Sequence, residues 1–345
     1  MRFGFMDHLP CAEWQSEGQR YHDILAQIEL GDVLGFDTAW LAEIHFFPDV
    51  SRIAAPLTVL AAAAQRTQRI RLGTAVTLLP LHNPLKIVEE AATVDILSGG
   101  RLELGVGRGA APSMFAAYNV PAEETRERFV EALEVIRQAW TGERLSYQGK
   151  YLCVQDLPVF PRPVQKPHPP IRIAANSPDT YTIAGRLGLP IFATPLIAGS
   201  MDKLREYIKA HRESLPPGVK QDVAVAFPVH VAESRAQARR ECEPSLMHFF
   251  SFLEQRRPDI QALPESYQAF QQAIERLRGI TYEEVEKLGA VLGDPEYCAE
   301  RVQALQEEFH MNEFICYFNQ GGLIDHTAVK RAMELFAREV IPRCR

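Results

Sequence analysis

Arg108 is the single cation within Gly105-Val-Gly-Arg-Gly109. Glycines there let the backbone approach a ligand closely, and the guanidinium beside them offers a planar fork of donors to phosphate or carboxylate. The spacing is neither the G-x-G-x-x-G of a dinucleotide fold nor the GK[ST] of a P-loop. Other groups able to bind or to move protons are Asp7-His8, Glu43 with His45, His82, Asn176-Ser177, Thr194 and His230. In an extended segment Glu43 and His45 face the same way and Ile44 the other. Histidine suits proton transfer because its ordinary pKa lies near neutrality, and a carboxylate beside it can orient the ring. The six cysteines are scattered without a Cys-x-x-Cys pair, so neither a zinc site nor a disulfide framework is indicated.

Each of these groups falls near the end of a short apolar run. The runs are Met1–Met6, Thr38–Ala42, Ile70–Leu79, Arg101–Val106, Ile171–Ala175, Ile191–Thr194, Val223–Val231 and Glu313–Phe318. Leu102, Leu104 and Val106 show the alternation of a strand. Helical segments separate the runs, among them Gln19–Leu34 with Gly35 as its stop, and Pro84–Leu97 with proline at its start. Eight strands alternating with helices predict α/β architecture, a (β/α)8 TIM barrel forming one domain over 1–345, with a doubly wound sheet as the competing arrangement. In such a barrel, active groups come from the C-terminal ends of strands, where these residues lie.

Two stretches break the rhythm. About 141–170, after strand 4, holds a hairpin-like Tyr147–Tyr151 and a proline-rich crossing, and reads as an insertion. About 234–286, after strand 7, is helical and polar, with aromatic residues at Phe249, Phe250 and Phe252. It is too long for one connection and is a candidate lid, with aromatic side chains of Met247–Tyr267 available to line a substrate tunnel. Of the 345 residues 46% are apolar, enough for a large core, and a net charge of −7 argues against a nucleic-acid partner. No run is apolar for long enough to cross a membrane, the N-terminus reads as a strand and not a signal peptide, and a reduced cytoplasmic setting is the default.

With Trp40-Leu-Ala-Glu-Ile-His-Phe46, Gly73-Thr-Ala-Val76, His82-Asn-Pro84, Ser98-Gly-Gly-Arg-Leu102, Gly105-Val-Gly-Arg-Gly109, Ala174-Ala-Asn-Ser177 with Thr180, and Gly321-Gly-Leu323 in this order, the chain resembles the bacterial luciferase family of flavin-dependent monooxygenases. The resemblance implies a barrel, usually dimeric, that binds reduced FMN on its C-terminal rim. The flavin reacts with O2 to give a hydroperoxide at ring carbon 4a, which oxidises an organic small molecule, and a separate NAD(P)H-flavin reductase supplies the reduced flavin. By position, Arg108 contacts the flavin phosphate with Asn176, Ser177 and Thr180, a helix start that itself favours anions. Gly107 belongs to the same cofactor-binding set. Ala75-Val76 matches a non-prolyl cis peptide behind the flavin ring. Ala75, Val76, Val106 and Ile44 are candidates for a dry wall.

His45, Glu43, His82 and His230 are the candidate catalytic residues, and no metal is expected. Asn176 stands where luciferase carries an acidic residue. Ile44 replaces the histidine that acts as its base, which argues against light emission. His230 matches an active-site histidine of alkanesulfonate monooxygenases, but Pro228 replaces their arginine, which argues against a sulfonate. The alternatives are a deazaflavin-dependent oxidoreductase of the same fold, a non-catalytic flavin-binding partner subunit, and a metal-dependent barrel hydrolase using Glu43, His45, His82 and His8.

Overall fold

In the computed structural model, which describes residues 1–345, eight parallel strands close into a barrel. They are β1 (Arg2–Asp7), β2 (Thr38–Leu41), β3 (Arg71–Thr74), β4 (Leu102–Gly107), β5 (Ile171–Ala174), β6 (Ile191–Ala193), β7 (Val223–Val231) and β8 (Glu313–Tyr317). Neighbours in sequence pair throughout, and β8 returns to β1 with Phe3 opposite Phe314 and Phe5 opposite Cys316. The doubly wound alternative is therefore excluded. The expected strand Ile70–Leu79 is broken at a cis Ala75–Val76 peptide, beyond which Thr77–Leu78 continues beside Val106–Gly107.

Local chemistry sets the helices between the strands. Ser16 accepts from the Gln19 N–H at the start of Glu17–Leu34, and Gly35 at φ 85° ends it. Asn83 caps Pro84–Leu97 in the same way. The N-terminal end of the barrel is sealed by paired charges. Buried Glu313 accepts from Trp40 Nε1 and pairs with Arg2, each at 2.8 Å, while Glu103 pairs with Arg2 at 2.7 Å and Arg71 at 2.6 Å. Buried carboxylates persist because they are paired. Above them Trp40 fills the interior against Phe192, Ala224 and Ile315. A Cβ on Gly73 would sit 2.1 Å from the Trp40 ring, so only glycine fits there.

The first insertion is an antiparallel hairpin, Arg144–Gln148 with Cys153–Pro158, outside the barrel. The second comprises helices Arg235–Gln255, Arg257–Gln261, Gln268–Arg276 and Tyr282–Lys287, which travel around the mouth. Ser245 donates to the Gln320 carbonyl beyond β8, Phe252 packs on Phe47 beyond β2, and the Tyr267 hydroxyl meets Thr125 beyond β4. Its Phe250, Ile260, Leu263, Tyr267, Ile274 and Leu277 belong to the same apolar core as the barrel. In this structure the segment expected as a candidate lid packs as a roof, with its large apolar residues buried or half-buried. A short strand missed in the sequence, Val291–Gly293, extends the sheet beside Val229–Val231.

Candidate active site

Arg108 lies just past β4 with its guanidinium stacked 4.1 Å over the Tyr267 ring. Nη2 donates to the Ser266 carbonyl at 3.2 Å, whereas Nη1 is buried with no partner. Burial holds Arg108 below its ordinary pKa, and the nearby Arg126 acts in the same sense. Facing it, Ser177 precedes helix Pro178–Arg186, and its hydroxyl lies 2.9 Å from that of Thr180. No side chain caps this helix. Arg108, Arg126, the Ser177 and Thr180 hydroxyls and an uncapped helix start therefore surround a groove of about 190 Å3 whose lining holds no carboxylate, although Asp179 in the helix's first turn lies 3.4 Å from Arg126. The expected phosphate set of Gly107, Arg108, Asn176, Ser177 and Thr180 converges there. Arg126 was missed, since nothing in the sequence distinguishes it from other helix-surface arginines.

The groove opens, through shared Val76, Ala174, Asn176 and Phe270, into an apolar cavity of about 290 Å3 in the barrel mouth. Ala75 and Val76 form one wall, and the roof supplies Phe249, Leu253, Phe270, Ile274 and Leu277. A Cβ on Gly107 would lie 2.6 Å from Val76 Cγ2, so glycine keeps this wall open to the groove. Of the expected dry wall, Ala75 and Val76 line the cavity and Val106 and Ile44 do not.

The four expected catalytic residues are not brought together at this cavity. Glu43 Oε1 accepts from His45 Nε2 at 2.7 Å and from His82 Nε2 at 2.6 Å, while Oε2 accepts from the Leu78 N–H at 3.0 Å. The Tyr118 hydroxyl lies 3.0 Å from His45 Nδ1. Burial works against the Glu43 charge, but the bonds from His45 and His82 outweigh it and lower the carboxyl's pKa. Burial likewise opposes a charged His82, yet Glu43 raises the pKa of that imidazole above its ordinary 6.5. Neither Glu43 nor His45 lines the cavity, and His82 and Tyr118 open instead onto a separate groove with Arg128 and Tyr151. Glu43 and His45 do share a side, as expected. It is the side away from the cavity, because β2 turns the alternate residue Trp40 inward.

His230 stands apart, buried with Nε2 2.7 Å from Glu241, which also binds Arg331. The ligand atoms of Glu43, His45 and His82 lie within 4.8 Å of one another, a spacing suited to a metal. His8, the fourth member of the hydrolase reading, is not among them. It lines the apolar cavity beside Tyr317, their ring centroids 4.8 Å apart. Tyr317 was also missed, although its place at the end of β8 was open to the same strand-end reasoning.

The luciferase-like monooxygenase family model matches residues 1–309. The 4-hydroxyprotoasukamycin monooxygenase of Streptomyces nodosus subsp. asukaensis is 30% identical over 325 residues, covering 90% of this chain and 84% of that protein. The uncharacterized protein y4wF of Sinorhizobium fredii is 40% identical over 188 residues, a match spanning about half of either protein, 54% of each. An F420-dependent glucose-6-phosphate dehydrogenase of Amycolatopsis mediterranei is 33% identical over 174 residues, 48% of this chain and 51% of that one. The crystal structure of monooxygenase RslO1 from Streptomyces bottropensis superposes with a TM-score of 0.82 at 26% identity, covering 99% of both chains. No helix of this chain is long and apolar enough to cross a membrane. The closed barrel and the family match along most of its length show that the chain belongs to the luciferase-like monooxygenase family.

Proposed function

We propose that this chain is the oxygenase component of a two-component monooxygenase that takes reduced FMN from a separate NAD(P)H-flavin reductase and uses O2 to oxidise a small organic molecule. The observation that carries this reading is the continuity of a cationic, carboxylate-free groove with a roofed apolar cavity. The unpartnered Arg108 Nη1 suits a phosphate, and the opening left by Gly107 suits a flat ring against Ala75 and Val76. When bound, the reduced flavin supplies the activation of oxygen.

The protein's part is to bind, to orient and to exclude water. Arg108, Ser177 and Thr180 hold the phosphate end, with Asn176 at the junction and Arg126 adding charge. The roof residues Phe249, Leu253 and Phe270 keep the mouth dry, which protects reactive species from water. Glu43, with His45 and His82 bonded to it, acts as a positioning group. It holds the Leu78 main chain, and the Leu78 side chain lines the groove. A homodimer, checked by light scattering, completes the proposal.

Anaerobic titration with reduced FMN, oxidised FMN and reduced F420 tests the reading, followed by mixing with O2 and mass analysis of candidate substrates. Tightest binding of reduced FMN and one oxygen atom gained by a substrate are expected. Tighter binding of F420 would instead support hydride transfer. FMN that survives dialysis and is reduced directly by a nicotinamide cofactor would refute the two-component scheme.

A further inference from the structure

Three side-chain atoms on the β1–β8 side of the apolar cavity lack a donor or an acceptor. His8 follows β1, Tyr317 ends β8 and Gln320 lies three residues beyond it; the pairing of β1 with β8 forces them together. Tyr317 and Gln320 are only 6% and 3% exposed, yet Gln320 Oε1 and His8 Nδ1 have no hydrogen-bond partner, and the Tyr317 hydroxyl has only the His8 main-chain N–H nearby and no acceptor for its own proton. Buried polar atoms without partners are uncommon in folded proteins, and three on residues sharing one cavity point to a missing ligand group.

That group is uncharged. No aspartate, glutamate, lysine or arginine lines the cavity. Burial pushes His8 down to about 4 and raises the Tyr317 phenol, so both are neutral near pH 7. An anionic or cationic substrate would lose its hydration there without a counterion.

We propose that His8, Tyr317 and Gln320 bind the carbonyl or hydroxyl oxygen of a neutral, otherwise apolar substrate. The Tyr317 hydroxyl donates to a carbonyl, and Gln320 Oε1 accepts from a hydroxyl. These atoms lie beneath the cavity surface, so their side chains must turn toward the ligand to bind it. This rests on the proposed function only in taking the mouth cavity as the substrate's place.

The test compares binding of menthone, menthol and p-menthane, which share one skeleton, by equilibrium dialysis without flavin. Wild-type protein is expected to bind the ketone and the alcohol about 2- to 12-fold more tightly than the hydrocarbon, the range for one net hydrogen bond. Tyr317→Phe keeps the ring and should bring the ketone ratio toward one, and Gln320→Met should do so for the alcohol. Binding of p-menthane and of reduced FMN should stay unchanged in both. A ratio near one in the wild type, or ratios unaffected in both variants, would overturn the proposal. Weakened FMN binding in both variants would also overturn it, by assigning these groups to the flavin. No turnover is measured, so failure here leaves the oxygenase reading untouched, and absence of oxygenated product leaves this binding result untouched.

Discussion

Replacing Arg108 by alanine should separate the phosphate contribution to flavin binding from everything else. One guanidinium nitrogen is unpartnered and the other makes only a 3.2 Å bond to the Ser266 carbonyl, so a phosphate gains donors without displacing a strong internal partner. A charge-assisted hydrogen bond contributes about 1.5–3 kcal/mol. Arg108→Ala should therefore weaken reduced FMN by about 10- to 150-fold. The same substitution removes the stack on Tyr267, a contact worth about 0.5–1 kcal/mol, or at most about five-fold. That second loss is common to reduced riboflavin, which lacks the phosphate, so the ratio of the two affinities isolates the phosphate. Arg108→Lys should fall between, since a point charge replaces the fork. Anaerobic absorbance titrations give all the constants. Equal losses for FMN and riboflavin would show that Arg108 serves the roof alone, and the assignment of the groove would be wrong.

Other consequences concern the framework. Burial opposes a charged His82 but Glu43 raises its pKa, so Glu43→Gln should lower it, with Glu90 still acting in the raising sense; an unmoved imidazole signal in an NMR titration would contradict the pairing. The stabilisation from this pair is complete below the unfolded pKa of about 6.5 and is lost as pH rises through the raised value. Burial lowers His8, His211 and His230 in the fold, so below about pH 6.5 the unfolded chain binds more protons. The urea midpoint should accordingly fall as pH goes from 7 toward 4, and a flat profile would argue against their burial. Phe250→Ala, within the roof, should cost about 3–5 kcal/mol of unfolding free energy, as for a core aromatic. A cost below about 1 kcal/mol would restore the detached lid.

The barrel was readable because its signals are local: alternation in Leu102–Val106, the glycine after Leu34, the proline at the start of Pro84–Leu97. The residues that line the Arg108 groove were readable through the resemblance, since Arg108 and Ser177 each lie beside a recognisable glycine or helix start. What the sequence hid was direction. Glu43 and His45 obey strand parity, but which side meets the cavity depends on Trp40 filling the interior through contacts with residues as distant as Ile315. The roof was misread for a related reason. Its polar composition describes its outer face, while Phe250 and Tyr267 are buried by partners far away in sequence. Tyr317 and Gln320 carried no motif, and only the adjacency of β1 and β8 joins them to His8.

Two of three departures from the family pattern, Asn176 and Pro228, share one explanation, and Ile44 lies away from the cavity. Asn176 replaces an acidic residue, Ile44 replaces a histidine and Pro228 stands where sulfonate-oxidising relatives carry arginine. Asn176 and Pro228 line the cavity itself. Each exchange removes an ionisable group, and the ionisable groups that remain on its wall, His8 and Tyr317, are kept neutral by burial. A site built to bind charge would keep at least one counterion, because an unpaired ion in an apolar enclosure is costly. Here charge is concentrated in the adjoining groove, which Arg108 and Arg126 line, Arg126 also lying 3.4 Å from Asp179. Under the proposed function, this division would give the anion to the cofactor and leave the substrate to be selected by shape and by one neutral oxygen. It also gives the Glu43 network its place behind Leu78: a buried carboxylate with two imidazoles is tolerated there because all three partners satisfy one another outside the dry cavity.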